Sequence, residues 1–413
     1  MRSFRVSLGE VVVGYLSEDD RGRVSFRFLE EYKDRSYRPV LSQSFEDDLE
    51  RVYRGKRNEL PAFFANLAPE GPLRDLVAKS LGIAAGDEMA LLEAVGRDLP
   101  GAVEITIGEG TEGFEENGTE DLTDGFPEVE AEDGALRFSL AGVQLKFSVL
   151  REAEKLTLPA HGQRGEWIVK LDSARFPQLV ENEFAVLEWA RGAGFDVPEC
   201  HIQPSSALGQ SLQPYAVPET NVLVIRRYDR DGLKRIHQED FAQVTSLPPR
   251  LKYDQISYEQ CALLVRQIVG EDAYLEFVQR LTFMVASGNT DAHLKNWSLI
   301  YPDGVNAQLS PLYDQVCTIA WRDLPRTLAL RFSGREYLLQ VDEDAFARLA
   351  RTAQADVEQT LSVVRIALQR IAEAWQGSGI DQLMPSAHIV TMREYWESAR
   401  LLKPYPIFAA RPR

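Results

Sequence analysis

The stretch Val285 to Thr318 reads VASGNTDAHLKNWSLIYPDGVNAQLSPLYDQVCT, and the rest of the chain is organised around it. It sets Asp291 five residues ahead of Asn296 and places a second acid, Asp314, in a Tyr-Asp-Gln turn about twenty residues on. LTFMVA before Ser287 reads as the end of a buried helix, WSLIY as a short strand, and AQLSPLYD as a second strand entering a turn. Two acids and one amide then converge on one end of a hairpin. Phosphoryl transfer needs such a set: one carboxylate to orient or deprotonate the attacking hydroxyl, and an amide oxygen with a second carboxylate to hold Mg²⁺ on phosphates. Asp and Asn are also common turn residues, so an ordinary polar helix-to-strand loop fits the same letters. This stretch alone leaves both readings open.

A chain of 413 residues exceeds one ordinary core and predicts two or three domains. Hydrophobic residues at 44% and charged residues at 26% are those of a globular protein. The net charge of -17 argues against direct, non-specific nucleic-acid binding, which depends on Lys and Arg neutralising phosphates. Contact with DNA then needs a basic partner. Cys200, Cys261 and Cys317 lie far apart, with no CxxC and an odd count, so neither a disulfide framework nor a zinc knuckle is indicated. That usage fits a reducing, cytoplasmic setting. MRSFRVSLGEVVVGYL lacks the apolar core and cleavage site of a signal peptide, and no run approaches the ~20 apolar residues of a membrane span.

Along the chain, FRVSLGEVVVGYL and VSFRF flank EDDRGR and predict a hairpin over residues 4–28. A short strand and two helices follow, in PAFFANLAPEGPLRDLVAKSLGI and DEMALLEAVGRDL, with Asp87 as N-cap of the second. Residues 1–108 form a first domain on this reading. From Glu109 to Asp133 the chain is acidic, without Lys or Arg, and residues 109–135 are read as a linker or surface excursion. ALRFSLAGVQLKFSVLR alternates on both sides of Ala141-Gly142, a hairpin whose Gly tip can lay backbone N–H groups against phosphate, although an ordinary hairpin has the same pattern.

WIVKL is an apolar strand presenting Lys170, similar in pattern to the strand lysine of kinases; an edge-strand lysine is the plainer alternative. Val180, Phe184, Leu187 and Ala190 give the next segment helical spacing, with Glu183 able to face Lys170 or solvent. NVLVIRRYDR is a strand ending in charge, where the backbones of Arg226, Arg227 and Tyr228 can serve an adenine and Asp229 can reach a ribose hydroxyl. From RIHQEDFAQV onward the pattern is mostly helical. A strand-rich half and a helical half imply two lobes with a cleft between them, as a nucleotide kinase requires. The expected fold class is therefore α+β: a two-lobed, protein-kinase-like fold with a strand-rich N-terminal lobe carrying an extra subdomain, and an all-helical C-terminal lobe. Residues 136–228 make the first lobe and 229–413 the second.

FFANLAPEGPLR, SLAGVQLKFSV, WIVK, ENEF, RRYDR, RIHQEDFAQV, NTDAHLKNWSLI and LSPLYD, in this order and spacing, resemble the HipA family of bacterial toxin serine/threonine kinases over nearly the whole chain. The resemblance implies that Asp291 orients or activates the acceptor hydroxyl and that Asn296 and Asp314 bind Mg²⁺. It implies an ATP site made by Lys170 with Ala141, Gly142, Val143, Gln144, Lys146, Ile168, Arg226, Tyr228, Asp229, His293 and Lys295. His293, between the acid and the amide, reads as support for the loop backbone more than as a catalyst. Ser139 matches the serine that family members autophosphorylate; a phosphate there adds about -1.5 to -2 charge beside the nucleotide. A HipB-like helix-turn-helix antitoxin is the implied partner, with operator DNA bound through it, and the implied target is an aminoacyl-tRNA synthetase or another translation component whose modification inhibits growth.

The chain departs from the family pattern at Ala292, where Gly is usual, at Leu145, where an acid is usual, and at His237, where Pro is frequent. None of these removes a carboxylate, amide or lysine from the chemistry. Two other classes compete: a corepressor subunit of a DNA-binding antitoxin complex with little kinase activity, and a small-molecule phosphotransferase with the same Asp-x-x-x-x-Asn loop.

Overall fold

The computed structural model describes residues 2–56, 58–108, 144–152, 155–158, 165–232, 234–253, 255–377, 379–405 and 408. The expected acidic linker and the first arm and tip of the 136–149 hairpin, with Ser139, Ala141, Gly142 and Val143, lie outside these residues.

The chain begins with β1 (Arg2–Leu8), β2 (Val11–Glu18) and β3 (Val24–Phe28). Where one hairpin was expected over residues 4–28, three strands form. Gly9 at φ +57 turns the chain back so that Leu8 pairs with Val11, a two-residue reversal that favours positive φ. Next come α1 (Glu30–Lys33), β4 (Tyr53–Arg54), α2 (Ala62–Ala65), α3 (Gly71–Leu81), α4 (Glu88–Val95) and β5 (Val103–Ile107). Asp87 caps α4, its carboxylate accepting from the Ala90 N–H at 3.0 Å. The sheet order is β4-β3-β2-β1-β5, and the alternation of Phe4, Val6 and Leu8 buries one face against Phe26, Phe63 and Phe64.

A second sheet of order β7-β6-β8-β10-β9 comprises β6 (Lys146–Glu152), β7 (Lys155–Thr157), β8 (Trp167–Leu171), β9 (Cys200–Pro204) and β10 (Asn221–Arg226). Its two faces are distinct because side chains alternate. Val149, Val169, Leu171, Val222 and Val224 form one small core. Leu223 and Ile225, on the other face, pack on Val180 and Leu187 of α5 (Leu179–Gly192).

After β11 (Arg230–Asp231) and β12 (Lys234–Arg235) the chain continues as β13 (His237–Asp240), α6 (Phe241–Val244), α7 (Tyr258–Ile268), α8 (Glu271–Ser287), β14 (Ser298–Tyr301), β15 (Gln308–Leu309), β16 (Thr327–Phe332), β17 (Arg335–Tyr337), α9 (Glu343–Thr352), α10 (Val357–Gly377), α11 (Ile380–Leu383) and α12 (Ser386–Ser398). The helices share one core containing Phe277, Phe283, Trp297, Trp375 and Trp396. This half also holds a β13-β14-β15 sheet and a β16-β17 ribbon, so it is mostly rather than wholly helical. Two lobes of mixed helix and sheet, with the N-terminal sheet as an addition, give the kinase-like architecture expected. Among the described residues, no helix is long and apolar enough to cross a membrane.

The N-terminal unit docks through buried polar contacts. Ser42 Oγ and the Gln43 N–H donate to the Glu239 carboxylate at 2.5 and 3.0 Å, and the Asn66 amide donates to the Leu247 carbonyl at 2.8 Å. The carbonyls of Leu99 and Gly101 accept from Arg227, Arg230 and Arg235 between them.

Candidate active site

Helix α8 stops at Ser287 because Gly288 takes φ +73, where an added Cβ would meet the Ile319 side chain at 2.4 Å. The loop beyond is held at both ends. Thr318 Oγ1 donates to the Gly288 carbonyl at 3.0 Å and accepts from the Thr290 N–H at 2.7 Å, which staples the loop to the segment after Asp314. Asn289 Oδ1 accepts from the Asp291 N–H at 2.9 Å, an Asx turn that presents the aspartate. Tyr253 donates its hydroxyl to Asp291 Oδ1 at 3.0 Å. The Asp291 carbonyl accepts from the His293 N–H at 2.8 Å and from Asn296 Nδ2 at 3.0 Å. The five-residue spacing thus fixes the amide's nitrogen, and among the described residues no donor reaches its oxygen.

Lys170 is almost fully buried on β8 and its ammonium contacts both Glu183, at 2.5 Å, and Asp314. Burial by itself would raise the Asp314 pKa, but Lys170 and Lys146 outweigh it and keep the carboxyl ionised, well below the usual carboxylate range. Burial disfavours the Lys170 charge, and Asp314 and Glu183 more than restore it. Glu183 carries the burial cost, its pKa raised despite Lys170. Asp314 itself holds φ +55, a left-handed conformation that an Asp tolerates better than most residues and that aims its carboxylate at the lysine. The Cys317 N–H donates to Asn182 Oδ1 at 2.9 Å, so α5 also carries the segment beyond Asp314.

Lys146 is the register partner of Lys170, so both side chains leave the same face. The Lys146 side chain stays exposed to solvent on that face. Ile168 lies on this face two residues before Lys170, and Gln144 donates to the Leu171 carbonyl at 3.1 Å. His293 is buried, with no partner on either ring nitrogen among the described residues; burial and then Lys252 pull its pKa down to about 3, which keeps it neutral. Its ring packs edge-on against Tyr253, so it shapes the loop.

Other expected site residues are used differently. Asp229 is buried between Arg227 and Arg230 and also accepts from the Gly101 N–H at 2.7 Å, so its oxygens belong to the docking of the N-terminal unit rather than to a ribose. The N–H groups of Arg226 and Arg227 already donate to the carbonyls of Glu199 and Glu166 at 2.8 and 2.9 Å. Of that trio, Tyr228 alone has an N–H without a protein acceptor among the described residues; its ring lies 5.7 Å from that of Tyr313, beside Asp314. Lys295 donates to Glu70 Oε1 at 2.5 Å and to the Asn66 carbonyl at 2.9 Å, turned toward the N-terminal unit. Sequence reasoning missed Glu70, Lys252 and Tyr253. Glu70 stood in FFANLAPEGPLR, a motif quoted for kinship with no role attached, and nothing in the spacing tied it to residue 295.

Residues 138–375 match the family model of the HipA-like C-terminal domain, and residues 4–106 match that of the HipA N-terminal domain. A Sinorhizobium fredii protein named as a candidate kinase, Y4dM, is 38% identical over 370 residues, which cover 88% of this chain and 89% of that protein. The serine/threonine-protein kinase toxin HipA of Shewanella oneidensis is 25% identical over 307 residues, 67% of each chain. The solved complex of Shewanella oneidensis HipA, HipB and operator DNA contains a chain with the same fold: TM-score 0.72 at 21% identity, covering 95% of this chain and 94% of that one. With both domains matched in order and a relative aligned over most of its length, the chain belongs to the HipA family of kinases.

Proposed function

We propose that this chain is an ATP- and Mg²⁺-dependent protein serine/threonine kinase acting as the toxin of a HipA/HipB-type module. The observation that carries the proposal is Lys170 held between Glu183 and Asp314. Two acids keep this buried lysine charged, and a lysine so held meets the nucleotide phosphates in kinases.

Asp291 takes the proton of the acceptor hydroxyl as that oxygen bonds to the γ-phosphorus of ATP, and ADP leaves with the bridging oxygen. Tyr253 and Asn289 keep the Asp291 carboxylate aimed during the transfer. Lys170 and Lys146 meet the nucleotide phosphates, and Ile168 and the Tyr228 N–H border the base. No group of three or more His, Cys, Asp or Glu able to hold a metal is present among the described residues. Mg²⁺ riding on phosphates asks for only one or two carboxylates, and the uncommitted Asn296 oxygen with the ionised Asp314 fit that demand. The ion would neutralise charge on the phosphates.

Ser139 is the site of autophosphorylation on this reading. Kinship with a chain solved beside HipB and operator DNA supports a helix-turn-helix antitoxin partner, and the net charge of -17 suits a subunit that leaves DNA contact to that partner. The proposed target is a protein of translation, such as an aminoacyl-tRNA synthetase, in the cytoplasm. Intact-mass spectrometry after incubation with Mg-ATP tests the core of this. One added phosphate, mapped to Ser139 and absent from Asp291→Gln and Asp314→Ala, is expected. An unphosphorylated, ATP-binding protein that gains none removes the autophosphorylation and shifts weight to a corepressor role.

A further inference from the structure

The Glu70 carboxylate, just ahead of α3 in the N-terminal unit, accepts from two lysines of the helical half, Lys295 at 2.5 Å and Lys252 at 3.0 Å. Those lysines sit on the two supports of Asp291. Lys295 lies four residues after it in the same loop, and Lys252 immediately precedes Tyr253, whose hydroxyl donates to Asp291. We propose that Glu70 is a positioning residue for phosphoryl transfer, a clamp from the N-terminal unit that fixes both sides of the loop presenting Asp291. The catalytic part of this inference rests on the kinase reading above.

Two further observations bear on it. The segment bearing Glu70 has a separate anchor on the helical half, where Asn66 Nδ2 donates to the Leu247 carbonyl at 2.8 Å, and the Asn66 carbonyl adds a second acceptor for Lys295. The clamp is therefore held rigidly at its base. Burial would raise the Glu70 pKa, but Lys295 and Lys252 reverse this and hold it to about 2, so the carboxylate stays charged at any working pH. Lys295 also lies 3.8 Å from Asp240. With Glu70, Asp240 and the Asn66 carbonyl around it, its ammonium is committed to the interface between the units. A side chain so placed orients the loop backbone that carries it, and small displacements of a catalytic group cost rate steeply.

The test uses the full chain and the variant Glu70→Gln, which keeps size and polarity and removes the charge. Reductive methylation read by mass spectrometry reports the accessibility of each lysine without requiring activity. Labelling of Lys252 and Lys295 is expected to rise about fivefold in the variant as their charge-assisted hydrogen bonds weaken, with Lys33 and Lys403 unchanged. Steady-state assay should show kcat down about tenfold and the KM for ATP within about twofold, the pattern of a lost transition-state alignment. Unchanged labelling of both lysines overturns the clamp, whatever the activity. Freed lysines with unchanged kcat overturn the positioning role. A wild type without Asp291-dependent transfer overturns the kinase reading and the catalytic role of Glu70 with it, while the labelling still decides the clamp.

Discussion

Lys146 and Lys170 are direct cross-strand partners on β6 and β8, two ammonium groups facing one another on one side of the sheet. Like charges so placed cost a sheet stability. Lys170 recovers the cost through Glu183 and Asp314, whereas Lys146 has no ion-pair partner among the described residues. Lys146→Met is expected to leave stability unchanged or to raise it by about 0.2–1 kcal/mol while weakening ATP binding. Lys170→Met leaves a buried Glu183 without its cation and should cost about 3–5 kcal/mol. Urea melts and nucleotide titration of both variants check this. A Lys146→Met protein that is less stable and binds ATP normally would contradict it.

Asp314 stands at φ +55, so its replacement has a backbone consequence apart from its charge. Asp314→Gly should be more stable than Asp314→Ala by about 1 kcal/mol, because only glycine adopts this conformation without a Cβ penalty. Both should lose phosphate transfer, and the wild type should lose it when Mg²⁺ is chelated. Equal melting temperatures for the two variants would show that the loop relaxes to another backbone conformation.

Glu239 is a buried carboxylate with hydrogen-bond donors from Ser42, Gln43 and Tyr301 and no ion-pair partner among the described residues. Burial, which the donors offset only in part, pushes its pKa up to about 7 from 4.5. The folded state then holds a proton that the unfolded chain has released. Its contribution is complete below pH 4.5 and is lost as pH rises toward 7, a change of order 3 kcal/mol. Glu239→Gln mimics the protonated acid and should remove that slope. Denaturation of both proteins at pH 5 and pH 8 measures it, and a difference between them that does not vary with pH would count against the assignment.

Gly101 adopts φ +71, and an added Cβ would meet the Gln238 N–H nitrogen at 2.7 Å. Its N–H also serves Asp229 and its carbonyl serves Arg230 and Arg235. Gly101→Ala is expected to destabilise by about 1–3 kcal/mol and to raise hydrogen exchange in the 97–103 loop. Exchange unchanged there would show that the arginines hold the loop without that close approach.

The sequence by itself determined the local elements and the chemistry they bring. Continuous apolar runs marked the strands WIVKL and NVLVIR, and 3.6-residue spacing marked the helix of Glu183, because a strand covered on both faces reads as a run while a helix buried on one face writes its period into the chain. The Asp-x-x-x-x-Asn spacing similarly set the Asn296 amide against the Asp291 carbonyl, since five residues close one short loop. Only the tertiary structure decided which charges meet. Lys170 and Asp314 are 144 residues apart, and Glu70 and Lys295 are 225. RRYDR read as a nucleotide hinge, yet its Arg227, Asp229 and Arg230 turn to the loop at residues 97–103. An ion pair has no period, and its partner is chosen by how the units pack; that is why the contact of Glu70 with the Asp291 loop was invisible in a motif already in view.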